Sequence, residues 1–98
     1  MPAAPSNLVV VRVAPIWNRL TWTNNSVSQA GVAIERCRGV GCGGFVEIAR
    51  VSGPSTTYSY PAGLLRGRSF TYRVRAWNAA GMSPYSNTAT LTTTVQKP

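Results

Sequence analysis

Few side chains in this 98-residue chain could do chemistry, and their types limit what that chemistry is. Cys37 and Cys42 stand together in "ERCRGVGCGGF", beside one of only two carboxylates, Glu35 and Glu47, in a chain with no histidine. A structural zinc site needs four nitrogen or sulfur ligands, which two cysteines without histidine or aspartate do not supply. A thioredoxin-like redox pair wants a two-residue spacer at a helix start, and neither is present. Without histidine or aspartate the usual general bases and nucleophile pairs cannot be assembled, and a glycosidase needs two carboxylates across a cleft. No catalytic residue, metal or cofactor is expected.

Charge is the other source of function. Ten Lys+Arg against two acids give a formal charge of +8, a field that draws anionic polymers and membrane surfaces. No block of consecutive basic residues occurs, so specific nucleic-acid recognition is not expected, and a solvated surface with acidic neighbours in a larger parent explains the charge equally well. The composition, 44% hydrophobic and 12% charged, is that of a globular domain. The longest apolar run, "LVVV" at Leu8 to Val11, has strand length, far short of the roughly 18 residues of a membrane span. The opening "MPAAP" lacks the regions of a signal peptide, and Met1 reads as a start added to an excised domain.

The elements that position these residues show a period of two. In "FTYRVRAW" Phe70, Tyr72, Val74 and Ala76 alternate with Thr71, Arg73, Arg75 and Trp77; "VAIERC" and "IWNRLTWT" alternate likewise. Turn formers punctuate the chain between them, and no segment keeps a helical stripe. Seven strands are predicted, at about 6–13, 16–23, 31–37, 44–51, 56–60, 68–78 and 85–94. Short strands at this spacing make an all-β sandwich or barrel. The domain is expected over 6–94, with 1–5 as N-terminal linker and 95–98 as the start of another.

"PSNLVV", Trp22, "GVAIERC" and above all "GLLRGRSFTYRVRAWNAAGMSPYSNTATLTT" resemble a fibronectin type III domain, over nearly the whole chain. The resemblance implies an immunoglobulin-like β-sandwich of seven antiparallel strands in two sheets, ABE and C′CFG. Trp22 would be buried between them, with Leu20, Ile34, Leu64, Phe70, Tyr72 and Val74 around it. Two positions depart from the family's pattern. Phe70 stands where a tyrosine usually enters strand F, so the corner hydrogen bond is absent unless Tyr72 replaces it, a loss of about 1 kcal/mol. Arg66 stands where proline is common.

Under this resemblance Cys37 ends strand C, Cys42 begins strand C′ and "RGVG" is the loop between. A disulfide then fits best, since opposite residues on antiparallel strands bring their Cβ atoms within reach. The bridge closes a short loop, contributes about 2 kcal/mol and implies an oxidising compartment, hence a secreted or cell-surface parent. In this register Ile34 faces Phe45 inward, and Ile48 points outward unless a bulge at Gly43-Gly44 turns it back. Glu35 and Glu47 then face opposite ways.

Arg73, Arg75 and Trp77 alternate on one strand and share a face, with Arg66 and Arg68 at the strand entrance. One reading is a ladder in which Glu35 pairs with the arginines and covers the sheet. The other is a platform for an anionic or insoluble polysaccharide. Trp17 and Arg19 belong to the other sheet. The loop "NAAGMS" carries no Arg-Gly-Asp, so integrin binding is not expected, and Asn24-Asn25-Ser26 matches a glycosylation acceptor. The function implied is a non-catalytic extracellular module, a spacer or protein-interaction unit contacting neighbouring domains or other proteins. The alternatives are an accessory polysaccharide binder, or a subunit of a surface filament, adhesin or phage particle. The resemblance extends to the copies found in bacterial secreted and surface proteins.

Overall fold

The computed structural model describes residues 2–14, 17–26, 29–39, 42–61 and 69–92. Eight strands form: β1 Ser6–Ala14, β2 Trp17–Thr23, β3 Gly31–Arg38, β4 Val46–Ser52, β5 Thr57–Pro61, β6 Ser69–Asn78, β7 Gly81–Met82 and β8 Ala89–Thr92. They make two antiparallel sheets, β1-β2-β5 and β4-β3-β6 with β7 and β8 both pairing β6. These are the expected ABE and C′CFG sheets. Ahead of β1, where linker was expected, Pro2 and Pro5 are buried and the Ala4 carbonyl accepts from Asn25 Nδ2 at 2.8 Å.

The period of two is visible as burial. Strand β2 alternates without a break, its odd-numbered residues exposed and Asn18, Leu20 and Trp22 buried. Leu8, Val10, Leu20, Trp22, Val32, Ile34, Phe70, Tyr72 and Val74 form the core between the sheets. Leu64 of the expected core lies outside the described residues, as does Ile16. Burying side chains of this size contributes about 1.5–3 kcal/mol each. One polar pair sits among them: Asn18 Nδ2 donates to the Tyr72 hydroxyl at 3.2 Å, and both residues are fully buried. Phe70 has no hydroxyl for a corner bond, and the upstream segment such a bond would reach, 62–68, lies outside the described residues.

The register of β3 against β4 differs from expectation. Ile34 is opposite Ala49 rather than Phe45, and a bulge follows, so that Glu35 is opposite Glu47 with Ile48 as the extra residue. Glu35 and Glu47 are therefore register partners instead of facing opposite ways. The bulge lies within β4, past the Gly43-Gly44 pair, and it lets Ile48 pack against the core.

The final strand, expected as one run from 85, is broken. Gly81, with φ of +134°, turns the chain tightly back so that Asn78 pairs Gly81. The regular ladder resumes at Ala89; within "SPYSNT" Pro84 has no N–H to donate, and the contact with β6 is irregular. Two serines bridge the gap. Ser83 N–H donates to the Ala76 carbonyl at 2.8 Å while its Oγ accepts from Ala76 N–H at 2.9 Å. Ser86 does the same with Val74, at 2.8 and 3.1 Å. Asn87 then accepts from Leu8 N–H at 2.9 Å and donates to the Leu8 carbonyl at 3.0 Å, tying β1 to the other sheet. Ser83→Ala leaves a buried N–H unpaired, and urea unfolding is expected to show a loss of about 1–3 kcal/mol.

Candidate functional site

The outward row of the central strand β3 is Gly31, Ala33, Glu35 and Cys37, all small except the glutamate and all buried. They are covered because longer side chains lie over them. On β6 the register partners are Trp77, Arg75, Arg73 and Thr71; on β4, Arg50 is opposite Ala33. Gly31 shows how close this approach is, since a Cβ there would stand 2.8 Å from the Trp77 ring and 2.5 Å from the Val51 carbonyl. The small row lets the arginines and tryptophan lie flat.

Glu35 anchors the ladder from underneath, its side chain 7% exposed. Its Oε1 accepts from Arg73 Nε at 2.9 Å and lies 2.8 Å from the same guanidinium's Nη2. Its Oε2 accepts from the Tyr85 hydroxyl at 2.9 Å, with Arg75 Nη2 3.6 Å away. The Arg73 guanidinium is also held from its flat sides, with Cζ 3.6 Å from the Tyr85 ring centroid and 3.9 Å from that of Phe45. Arg75 stacks on Tyr85 at 4.5 Å. One carboxylate thus neutralises a fork whose faces are covered by two rings, which holds the side chains in place at low entropic cost. Beside this group Arg50 lies 5.1 Å over Trp77 and pairs with Glu47 at 2.7 Å.

Phe45 directly precedes Val46, the first paired residue of β4, and from there its ring reaches Arg73. The segment 42–45 does not begin β4, as was expected of Cys42, and lies outside both ladders. The Cys37–Cys42 disulfide, Cα atoms 6.1 Å apart, ties it to β3. Nearby, Thr71 Oγ1 donates to the Gly39 carbonyl at 2.9 Å, and Gly39 N–H to the Ser69 carbonyl at 2.7 Å. The staple therefore closes the loop whose far end carries Phe45. Replacing both cysteines by alanine is expected to cost about 2 kcal/mol in the unfolding free energy. The same change should raise the mobility of the Phe45 ring, read from its NMR signals.

The ladder brings together Arg73, Arg75 and Trp77, as the alternation in β6 indicates. Arg66 and Arg68 lie outside the described residues. Tyr85, Phe45 and Arg50 were missed. Tyr85 stands in the gap between β7 and β8, where strand parity fails, and Phe45 precedes β4; for Arg50 the signal was present, since it faces Ala33 once the bulge is known. Trp17 is exposed on the β1-β2-β5 sheet. Asn24 is a poor glycan acceptor here: its Nδ2 donates to the Ser55 carbonyl at 3.1 Å while its Oδ1 accepts from Trp22 Nε1 at 3.0 Å.

Burial, and then the hydrogen bond to Glu35, hold the Tyr85 phenol above its ordinary pKa, against the lowering influence of Arg73 and Arg75. A pKa raised by folding stabilises the folded state fully below the ordinary tyrosine value of about 10 and loses that contribution as pH rises through the folded value. Absorbance titration should show one phenol ionising late, and Glu35→Gln should bring it down. Among the described residues no cluster of three His, Cys, Asp or Glu could hold a metal, and no helix is long and apolar enough to cross a membrane.

No protein-family model matches the chain, and no curated protein sequence does. Solved structures match closely in shape. The titin domains A168–A170 superpose with a TM-score of 0.79 at 23% identity, over 95% of this chain and 32% of that one. A Fn3-like protein from Clostridium thermocellum gives 0.73 at 24% identity, over 99% and 94%. The fibronectin type III domain of human fibronectin type III domain containing protein 3 gives 0.74 at 22%, over 97% and 88%. The chain spans about a third of the titin structure's length and nearly all of the other two. The fold is shared at low sequence identity.

Proposed function

We propose that this fibronectin type III domain is a non-catalytic extracellular module, serving as a spacer or protein-interaction unit of a larger secreted or surface protein. The observation that carries the reading is that its chemistry-bearing residues are committed to holding one sheet together: Glu35 joins Arg73, Arg75 and Tyr85, and Glu47 joins Arg50. The carboxylates that could act as acids or bases are thus tied to arginines, and the cysteines to each other. The disulfide supports an oxidising compartment.

The same face is the one the sequence offers to polysaccharides, and one experiment separates the two uses. The oxidised chain is passed over heparin, chitin, cellulose and cell-wall polymers, alongside an Arg75→Gln/Trp77→Ala variant. A spacer or protein-interaction module is expected to ignore the neutral polymers. It should leave heparin by about 0.2 M salt, as a diffuse charge effect does, with the variant only slightly weaker. Retention on chitin or cellulose that the variant loses would instead make the ladder a polysaccharide platform.

A further inference from the structure

We propose that the outer face of the β1-β2-β5 sheet docks an acidic peptide segment of a partner protein, with a carboxylate on Arg19 and apolar side chains on Trp17, Val9 and Val11. This rests on the reading of the domain as a protein-interaction unit, and it names the face such a unit would use.

Three of the four exposed large hydrophobic residues among those described are Val9, Val11 and Trp17. Single exposed valines are ordinary on a protein surface, but these residues belong to one patch. Residues directly opposite on an antiparallel pair share a face, and Val9 is opposite Thr21 while Val11 is opposite Arg19. Trp17, Arg19 and Thr21 alternate outward along β2, which sets Trp17 diagonal to Val11, within reach of a large ring. On the other flank Ser59 and Thr57 of β5 are opposite Arg19 and Thr21. Arg19 is therefore the centre of the patch, with Trp17 and Thr21 about 7 Å away along the strand and Val11 and Ser59 about 5 Å across it.

Charge complementarity selects the partner. The chain has two carboxylate side chains, Glu35 and Glu47, and both lie on β3 and β4 of the other sheet, where they hold Arg73, Arg75 and Arg50. Arg19 is exposed and, among the described residues, takes part in no ion pair, hydrogen bond or ring contact. Its guanidinium fork is open to a carboxylate from outside. Tryptophan and arginine are the commonest anchors of protein interfaces, and the patch holds no lysine, aspartate or glutamate, the residues depleted there.

Other occupants fit less well. A wholly apolar partner would bury the guanidinium unpaired, which is costly, and a bare polyanion leaves Trp17, Val9 and Val11 in water. A second copy presenting the same face has no carboxylate to offer Arg19, and it brings a charge of +8 against +8.

The test is a selection of random dodecapeptides displayed on phage against the folded, oxidised chain at physiological salt, with counter-selection on Trp17→Ala, which keeps the net charge. Surviving peptides are expected to carry an aspartate or glutamate next to aliphatic or aromatic residues. Titrated as synthetic peptides into the 15N-labelled chain, they should give saturable shifts centred on the amides of Val9, Val11, Arg19 and Thr21. Arg19→Gln should weaken them about tenfold, as loss of a charge-assisted bond does, and Trp17→Ala at least as much. Both side chains are exposed, and well-dispersed spectra of the variants confirm that they fold. The proposal is overturned if no peptide survives, if the survivors lack a carboxylate, if Arg19→Gln leaves the affinity unchanged, or if the shifts centre on Tyr85 and Trp77. It is overturned too if phosphatidylglycerol vesicles displace the peptides and blue-shift the Trp17 emission, since an anionic membrane is then the occupant. Peptides that map to another face remove this site alone, whereas retention on chitin or cellulose removes the reading beneath it.

Discussion

Glu35→Ala is expected to destabilise the domain by about 2–4 kcal/mol. Removing one partner of a buried ion pair costs about 3–5 kcal/mol because the charge left behind is stranded. Here the figure is discounted, since the side chains of Arg73 and Arg75 are 26% and 27% exposed and recover some water. The Tyr85 hydroxyl also loses its acceptor, and its ring loses the anchor that holds it on Arg73. Glu35→Gln keeps an acceptor but no charge, and is expected to lose about half as much. Urea unfolding reads both, with an unchanged m-value showing that the folded state is otherwise intact.

Trp22→Ala is expected to be at least as costly, about 3–5 kcal/mol. The side chain lies between the sheets at 5% exposure. Its indole N–H donates to Asn24, whose amide in turn reaches the Gly53 and Ser55 carbonyls. Truncation therefore opens a cavity and also frees the Asn24 bridge to that turn. Trp22→Phe fills part of the space and leaves only the Asn24 acceptor unpaired, so it should fall well short of the alanine loss. A thermal scan expected to shift the midpoint by roughly 4–8 °C per kcal/mol resolves the two.

The fold was legible because its signal is local. Alternation in β2, β3 and β6 marks the faces, and Trp22, Leu20, Ile34, Phe70, Tyr72 and Val74 all fall in the core. Half of the ladder was legible for the same reason: parity alone places Arg73, Arg75 and Trp77 on the face that Glu35 shares. The rest depends on departures from alternation. Parity counted back from the cysteines puts Ile34 opposite Phe45, but Cys42 is outside the ladder, so Arg36 already pairs Val46, three residues further on. A bulge at Ile48 adds a fourth before Ile34 meets Ala49. Tyr85 lies where Pro84 interrupts the last strand and serine side chains take over the backbone's bonds, so no period reaches it. Cys42 lies beyond the end of the ladder, held by a covalent bond rather than by pairing, and Phe45 directly precedes the first paired residue, Val46.

That distinction also changes what the arginines mean. Ten basic residues suggest a receptor for anions, yet three of them, Arg50, Arg73 and Arg75, are spent against the chain's own two carboxylates and its own aromatic rings. The charge of this face is therefore already spoken for inside the sheet.

The claim that this face is a structural ladder is tested most directly by a double-mutant cycle between Glu35 and Arg73, using the unfolding free energies of the wild type, both single alanine variants and the pair. A coupling of about 1.5–3 kcal/mol is expected, within the range found for residues in one ion-pair network. A coupling below about 0.5 kcal/mol, the level at which distant sites simply add, would contradict it and return Arg73 to the surface as an arginine free for a ligand.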